Sequence, residues 1–259
     1  MKRKLNASPT PSPLSPTLHT GCSGHIGRRS AMEDAHINLS DMDIKHMYPT
    51  VPPACRLAIY GILDGHGGAE VAKQASQLLP DKIIQNMQKN GKFKTTSKYV
   101  LRALEIAFKE TEEAVLQSSH GTHQGCCVVL ALIVNDVTYI ANLGDSKAVL
   151  CRRLKSSATD EDMRTKDVIG TEDVSGSSVR NRLSVHSFPW TRGEISPPPA
   201  AECVPLTVDH DPDVPDERTR VVAAGGRVEA GRVYGPSDKN GMSHSIGVAR
   251  TLGDGYMKK

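Results

Sequence analysis

The chain has 259 residues, which against about 150 residues per domain leaves one large domain or two small ones. Lys and Arg number 32 against 29 Asp and Glu, for a net charge of +3, and 38% apolar with 24% charged residues is ordinary globular usage that excludes collagen-like, coiled-coil and wholly disordered chains. Aromatic residues make up only 4%, too few for a platform that stacks single-stranded nucleic acid, and so small a net charge offers no basic field for DNA, so no nucleic-acid partner is expected.

Residues 1–20 carry Ser8-Pro9, Thr10-Pro11, Ser12-Pro13 and Ser15-Pro16 behind Lys2-Arg3-Lys4, a composition that cannot bury apolar area and reads as a disordered tail. A proline-directed phosphorylation region beside a short basic import signal is the sharper alternative. The six cysteines (Cys22, Cys55, Cys126, Cys127, Cys151, Cys203) show neither CxxC nor zinc spacing and read as buried free thiols in a reducing compartment. No run of about 18 apolar residues exists, so no membrane span is expected. These features predict an intracellular protein of cytoplasm or nucleus, taken as monomeric.

Arg28-Arg29-Ser30-Ala31-Met32-Glu33-Asp34 is a charged stretch that, alone, reads as a solvated turn. Leu57 to Leu63 is an apolar run ended by Asp64-Gly65-His66-Gly67-Gly68, the pattern of a buried strand entering a Gly-rich turn. From Ala69, Val71, Ala75, Leu78 and Leu79 repeat at helical spacing, Ile83, Ile84 and Met87 extend the stripe, and Pro80 predicts a break or kink. A second amphipathic helix starts near Ser97, with Leu101, Leu104, Phe108 and Val115 inward. Three strands follow, Cys127–Val134, Val137–Asn142 and Lys147–Arg152, joined by tight turns as an antiparallel meander.

Residues 155–200 are rich in Ser, Thr, Asp, Glu, Arg and Pro, and Pro197-Pro198-Pro199 closes them, so they read as a disordered insertion in a domain that continues on either side. Leu206-Thr207-Val208 reads as a strand, Asp216–Ala224 as a helix ended by Gly225-Gly226, and Arg227–Glu229 with Arg232–Tyr234 as a hairpin. Strands clustered apart from helices favour an α+β fold with antiparallel sheets over an alternating parallel one.

Carboxylates on strand ends and turns are how oxygen-donor sites for hard cations are built, and Asp64, followed by glycines that let the backbone turn toward a small ligand, fits that pattern. His66 adds a group that exchanges a proton near neutral pH. The plainer reading makes Asp64 a helix cap and leaves His66 exposed. Asn142-Leu143-Gly144-Asp145-Ser146 is a third such segment, with its carboxylate in a turn, and Ser245 to Asp254 is a fourth, delivering Asp254 after a further apolar stretch.

Taken in order, Arg29…Met32-Glu33-Asp34-Ala35-His36, Gly61 to Gly68, Asn142 to Ser146, Leu206 to Pro212 with Glu217-Arg218 and Gly225 to Val228, and Val248 to Asp254 resemble the motif series of the metal-dependent type 2C protein serine/threonine phosphatases. The resemblance runs from Gly21 to Lys259, interrupted by residues 155–200. It implies an antiparallel β-sandwich flanked by helices and a centre of two Mn²⁺ or Mg²⁺ ions acting on phosphoprotein substrates. By position, Asp64 would bridge the metals, Glu33 and the Gly65 carbonyl would bind one, Asp34 would orient bound waters, and Asp145 would support a further metal site. Arg29 would hold the phosphate and His66 would be the general acid. Asp254 matches a cleft carboxylate of open role.

The chain departs from the pattern in two places. Gly125-Cys126-Cys127 stands where Gly is usually followed by Ser or Thr, an exchange expected to be tolerated, with the two thiols on opposite faces of a strand. The later Asp-Gly and Asp-Asn motifs are not met before Lys259, so the resemblance implies a partial domain. An impaired pseudophosphatase or binding form is the alternative to an active enzyme.

Overall fold

A computed structural model describes residues 18–153, 184–189, 201–235 and 244–258, with backbone alone at 153, 184–189 and 201. Most of the expected tail and most of the 155–200 stretch lie outside the described residues.

Strand β1 (Ala35–Leu39) leads into a short helix, α1 (Asp41–Met47), and neither is among the elements that periodicity predicts. The helix starts on a capping box: Ser40 Oγ accepts the Asp43 N–H at 3.3 Å and Asp43 Oδ2 accepts the Ser40 N–H at 2.8 Å. Strand β2 (Leu57–His66) runs three residues past the expected end. From Ile59 onward its faces alternate, with Ile59 and Leu63 fully buried while Ile62 is 44% exposed, so one face enters the core and the other carries Asp64 outward.

Helix α2 (Glu70–Met87) follows, then a minor hairpin of β3 (Gln88–Lys89) and β4 (Lys92–Phe93), then helix α3 (Ser97–Gln117). Of the break or kink expected at Pro80, the break does not occur: α2 runs through it. An interior proline costs about 3 kcal/mol, but its neighbours Leu79, Ile83 and Ile84 are all buried, each contributing about 1.5–3 kcal/mol, so packing outweighs the lost hydrogen bond. From α3, Val100, Leu104, Ala107, Phe108 and Val115 join these residues and the inner face of β2 in one core. Ser97 lies inside α3 after the cap residue Thr96, and its Oγ accepts the Tyr139 hydroxyl at 3.1 Å.

The remaining elements are β5 (Gly125–Val134), β6 (Val137–Leu143), β7 (Val149–Arg153), β8 (Ser184–Pro189), β9 (Ala201–Pro205), helix α4 (Pro215–Ala223), β10 (Arg227–Glu229), β11 (Arg232–Tyr234), β12 (Ser245–Ile246), β13 (Leu252–Gly253) and a 3₁₀ turn at Gly255–Met257. All described strand pairs are antiparallel and the class is α+β. The main sheet has the order β1-β2-β5-β6-β8, with β13 also on β5; β5, flanked on both sides, is buried almost throughout. The hairpin at Arg227–Tyr234 forms as expected and gains β12 as a third strand.

Three expectations are corrected. The meander stops after two strands, because β7 pairs with β9 and it is β8 that lies against β6. Ser184–Pro189, within the stretch expected to be unstructured, is that edge strand. The strand expected at Leu206–Val208 lies instead at Ala201–Pro205, although the Leu206 N–H still reaches Ala148 O at 2.9 Å. Local patterning cannot distinguish these pairings, since both partners of β7 and β6 arrive from across a long sequence gap.

Candidate active site

Arg29, Glu33, Asp34, Asp64, Gly65 and His66 line one pocket of about 290 Å³ with His25, Ile26, Ala31 and Met32. The sequence stretch before β1 and the end of β2 meet there because β1 pairs with β2 in the register Ala35↔Leu63, which brings residues just before Ala35 alongside residues just after Leu63. The approach is close enough that a Cβ at Gly65 would run into the Glu33 carbonyl, so only glycine fits. Asp145, in the turn after β6, is not among the lining residues, yet its charge reaches Asp64.

Burial, together with the neighbouring charges of Asp34 and Asp145, pushes the Asp64 carboxyl above its usual range, against the opposing pull of His66 and Arg29. Like charges are thus gathered around Asp64, and a divalent cation would relieve their repulsion. The donors are oxygens from Glu33, Asp34, Asp64, the Gly65 carbonyl and Asp145, the set that hard Mg²⁺ and Mn²⁺ prefer. Among the described residues, no three carboxylate, imidazole or thiol side chains form a metal cage. Each ion held here would therefore take one or two carboxylates and be completed by water.

Asp64 does not cap α2. The side chain of Gln124, just before β5, accepts the Glu70 N–H at 3.0 Å, which leaves Asp64 free to face the pocket. The Asp145 carboxylate in turn accepts the Cys127 thiol at 3.4 Å. Cys127 lies opposite Asp64 across the β2–β5 ladder, and burial with the adjacent carboxylates pushes its thiol up to about 12. Cys126 packs into the main core, so the two thiols face apart as expected.

Asp254 gains a role that its motif left open. Its side chain is fully buried, and Oδ2 lies 2.8 Å from His66 Nε2. His66 (β2) pairs with Gly125 (β5), and Gly125 pairs with Gly253 (β13), so the imidazole crosses over a glycine to reach the carboxylate beyond. A side chain at Gly125 would collide with both groups. Backbone bonds from Asp254 N to Gln124 O and from Gly255 N to Gly121 O, each 2.9 Å, fix the approach, and the Glu112 carboxylate accepts the Gly253 N–H at 2.9 Å. Burial pulls the His66 pKa down, but the Asp254 hydrogen bond and charge, with Asp64 and Glu33, outweigh it and raise the value overall.

A second buried polar cluster stands behind Gly144. Glu217 on α4 accepts Arg250 Nε at 2.9 Å and Arg220 Nη2 at 2.8 Å, and Arg250 Nη2 also binds it. His210 receives the Gly144 N–H on Nδ1 at 3.0 Å, and burial with the Arg250 charge holds its pKa down to about 4. Glu217 and Arg250 stand within the quoted motifs without a role, and their pairing across 33 positions leaves no local sequence signal.

A sequence profile of the Protein phosphatase 2C family matches residues 19–167 and 195–259. The integrin-linked kinase-associated serine/threonine phosphatases 2C of mouse and human are each 29% identical over 247 residues, covering 92% of this chain and 50% of theirs. Protein phosphatase 2C 1 of Paramecium tetraurelia is 27% identical over 235 residues, covering 88% of this chain and 56% of its own. The chain thus spans about half the length of the curated relatives it matches. In fold, it resembles a serine-threonine phosphatase 2C from Toxoplasma gondii (TM-score 0.59, 16% identity, 90% of this chain and 66% of that one). It also resembles a C. elegans sex determining protein (TM-score 0.51, 17% identity, 88% and 42%). The chain belongs to the protein phosphatase 2C family.

Proposed function

We propose that the pocket of this family member hydrolyses phosphoserine and phosphothreonine in phosphoprotein substrates with the help of two Mn²⁺ or Mg²⁺ ions. The observation that carries the reading is the convergence of Arg29, Glu33, Asp34, Asp64 and His66 on one pocket from two separate stretches of chain. Glu33, Asp64 and the Gly65 carbonyl would hold the metals, with Asp64 shared, Asp34 ordering water and Asp145 supporting a further ion. When bound, the ions supply a water nucleophile at neutral pH and neutralise charge at phosphorus.

The protein's own groups do the remaining work. Arg29 can grip two phosphate oxygens through its planar guanidinium. His66 protonates the alkoxide of the departing serine or threonine, a poor leaving group without that proton. Asp254 raises the His66 pKa, which favours the imidazolium over the neutral ring, and fixes which way the ring points. With His66 and Arg29 both lining the pocket, an incoming phosphate would meet one cationic grip and one proton donor.

Hydrolysis of a phosphopeptide and of para-nitrophenyl phosphate, with and without Mn²⁺, tests the proposal. Mn²⁺-dependent turnover that Asp64→Asn abolishes, with the circular dichroism and melting temperature unchanged, is the expected result. Equal Mn²⁺-dependent turnover by the Asp64→Asn protein would overturn it. A phosphoprotein-binding form with impaired catalysis is the second reading, favoured by the lack of a three-side-chain metal cage among the described residues. It predicts phosphopeptide binding without turnover, and binding that Arg29→Ala weakens.

A further inference from the structure

Three of the six thiols are exposed, contrary to the expectation that all are buried: Cys22, Cys151 and Cys203. Two of these face each other. Strands β7 and β9 run antiparallel with Cys151 directly opposite Cys203, and the two sulfurs lie 3.3 Å apart. On either side of this pair the ribbon is tied. The next pair, Arg152 and Glu202, forms an ion pair at 2.9 Å, and toward the site Ala148 N donates to Thr207 Oγ1 at 3.1 Å and Lys147 Nζ to Asp209 Oδ2 at 2.8 Å. The backbones are thus already held at ladder spacing, and the sulfurs need to approach by only roughly 1.3 Å more to reach bonding distance.

The other thiols lack this arrangement. Cys55, Cys126 and Cys127 are buried, which keeps them protonated and out of reach, and burial pushes the Cys55 thiol up to about 11 and that of Cys127 to about 12. Cys22, although exposed, is in contact with no other thiol among the described residues.

We propose that Cys151 and Cys203 form a redox-modifiable dithiol, which a hydroperoxide converts into a cross-strand disulfide and a thiol reductant restores. One thiolate attacks a peroxide oxygen, the O–O bond breaks, and a sulfenic acid and one water form after proton transfer. The second thiol attacks the sulfenic sulfur and expels the second water. Two S–H bonds and one H₂O₂ are consumed, two waters and one S–S bond are made, and the sulfurs lose the two electrons that the peroxide gains. Because the cysteines are 52 positions apart in sequence, the bond ties β7 covalently to β9 across the whole intervening segment.

The test uses the full chain. After treatment with hydrogen peroxide, free thiols are blocked with N-ethylmaleimide in denaturant and the protein is digested with trypsin without reductant. The expected result is a linked pair of peptides carrying Cys151 and Cys203, released by dithiothreitol, with two fewer thiols titrating than before treatment. In Cys151→Ser, the linked pair disappears and dimedone traps Cys203 as its sulfenic acid adduct. A disulfide carried by Cys22 or by a second chain, or both thiols still free at a dose that oxidises the exposed Cys22, would overturn the proposal.

Discussion

Glu217→Ala removes a carboxylate that lies between the guanidinium groups of Arg220 and Arg250. Glu217 is 5% exposed and Arg250 9%, so the charges meet away from bulk water. The side chain accepts Arg250 Nε at 2.9 Å and Arg220 Nη2 at 2.8 Å, and Arg220 Nη2 also reaches Ala249 O at 2.6 Å. Burial alone would raise the Glu217 pKa, but the two arginines outweigh it and hold the value below the usual range. A buried pair that loses one partner costs about 3–5 kcal/mol, since the remaining buried charge loses its opposite charge. A urea midpoint lower by roughly 1–2 M at unchanged slope is therefore expected from equilibrium unfolding. Glu217→Gln, which keeps an acceptor but not the charge, should lose less, about 2 kcal/mol. Adding Arg250→Met to Glu217→Ala should recover part of the loss, because the buried cation is gone as well. A loss under about 1 kcal/mol for Glu217→Ala would show that water or a neighbour satisfies Arg250 and refute the reasoning.

His210 gives a pH dependence: its folded pKa of about 4 lies below the ordinary 6.5, so the unfolded chain binds more protons between those values and stability falls as pH drops through that window. The slope approaches 1.4 kcal/mol per pH unit and sums to about 3 kcal/mol, and His210→Gln should remove this part of the slope in urea melts from pH 7 to 4. Gly65→Ala should cost about 1–3 kcal/mol and Mn²⁺-dependent turnover together, because its methyl meets the Glu33 backbone; thermal melts and the phosphopeptide assay check both. Asp254→Asn should lower turnover about 10²-fold and move the alkaline limb of the pH–rate profile to lower pH, since the charge that raises the His66 pKa is lost; an unmoved limb would separate Asp254 from His66.

Much of the fold was legible in the sequence because apolar periodicity is local. The stripes at Val71 to Met87 and Leu101 to Val115 gave α2 and α3, and the run at Leu57 gave β2. Elements of weak periodicity were missed: β1 alternates over five residues only, and α1 is announced by its Ser40 and Asp43 caps rather than by a stripe. Among the candidate site residues, the local pattern points to Asp64 and His66, while Arg29, Glu33, Asp34 and Gly65 follow only from the resemblance of the ordered motifs to a known family.

What the sequence could not assign was what those motifs face. Nothing local to Asp254 says that it lies 2.8 Å from His66, a pair 188 positions apart, or that Gly125 is bare so that the two can meet. The partner of β7 and the contact of Cys151 with Cys203 likewise depend on pairing across a 52-residue separation. Composition and periodicity fix which surfaces are apolar and which residues can do chemistry. Long-range register depends on how strands and helices fill a shared core, and only the tertiary structure decides it.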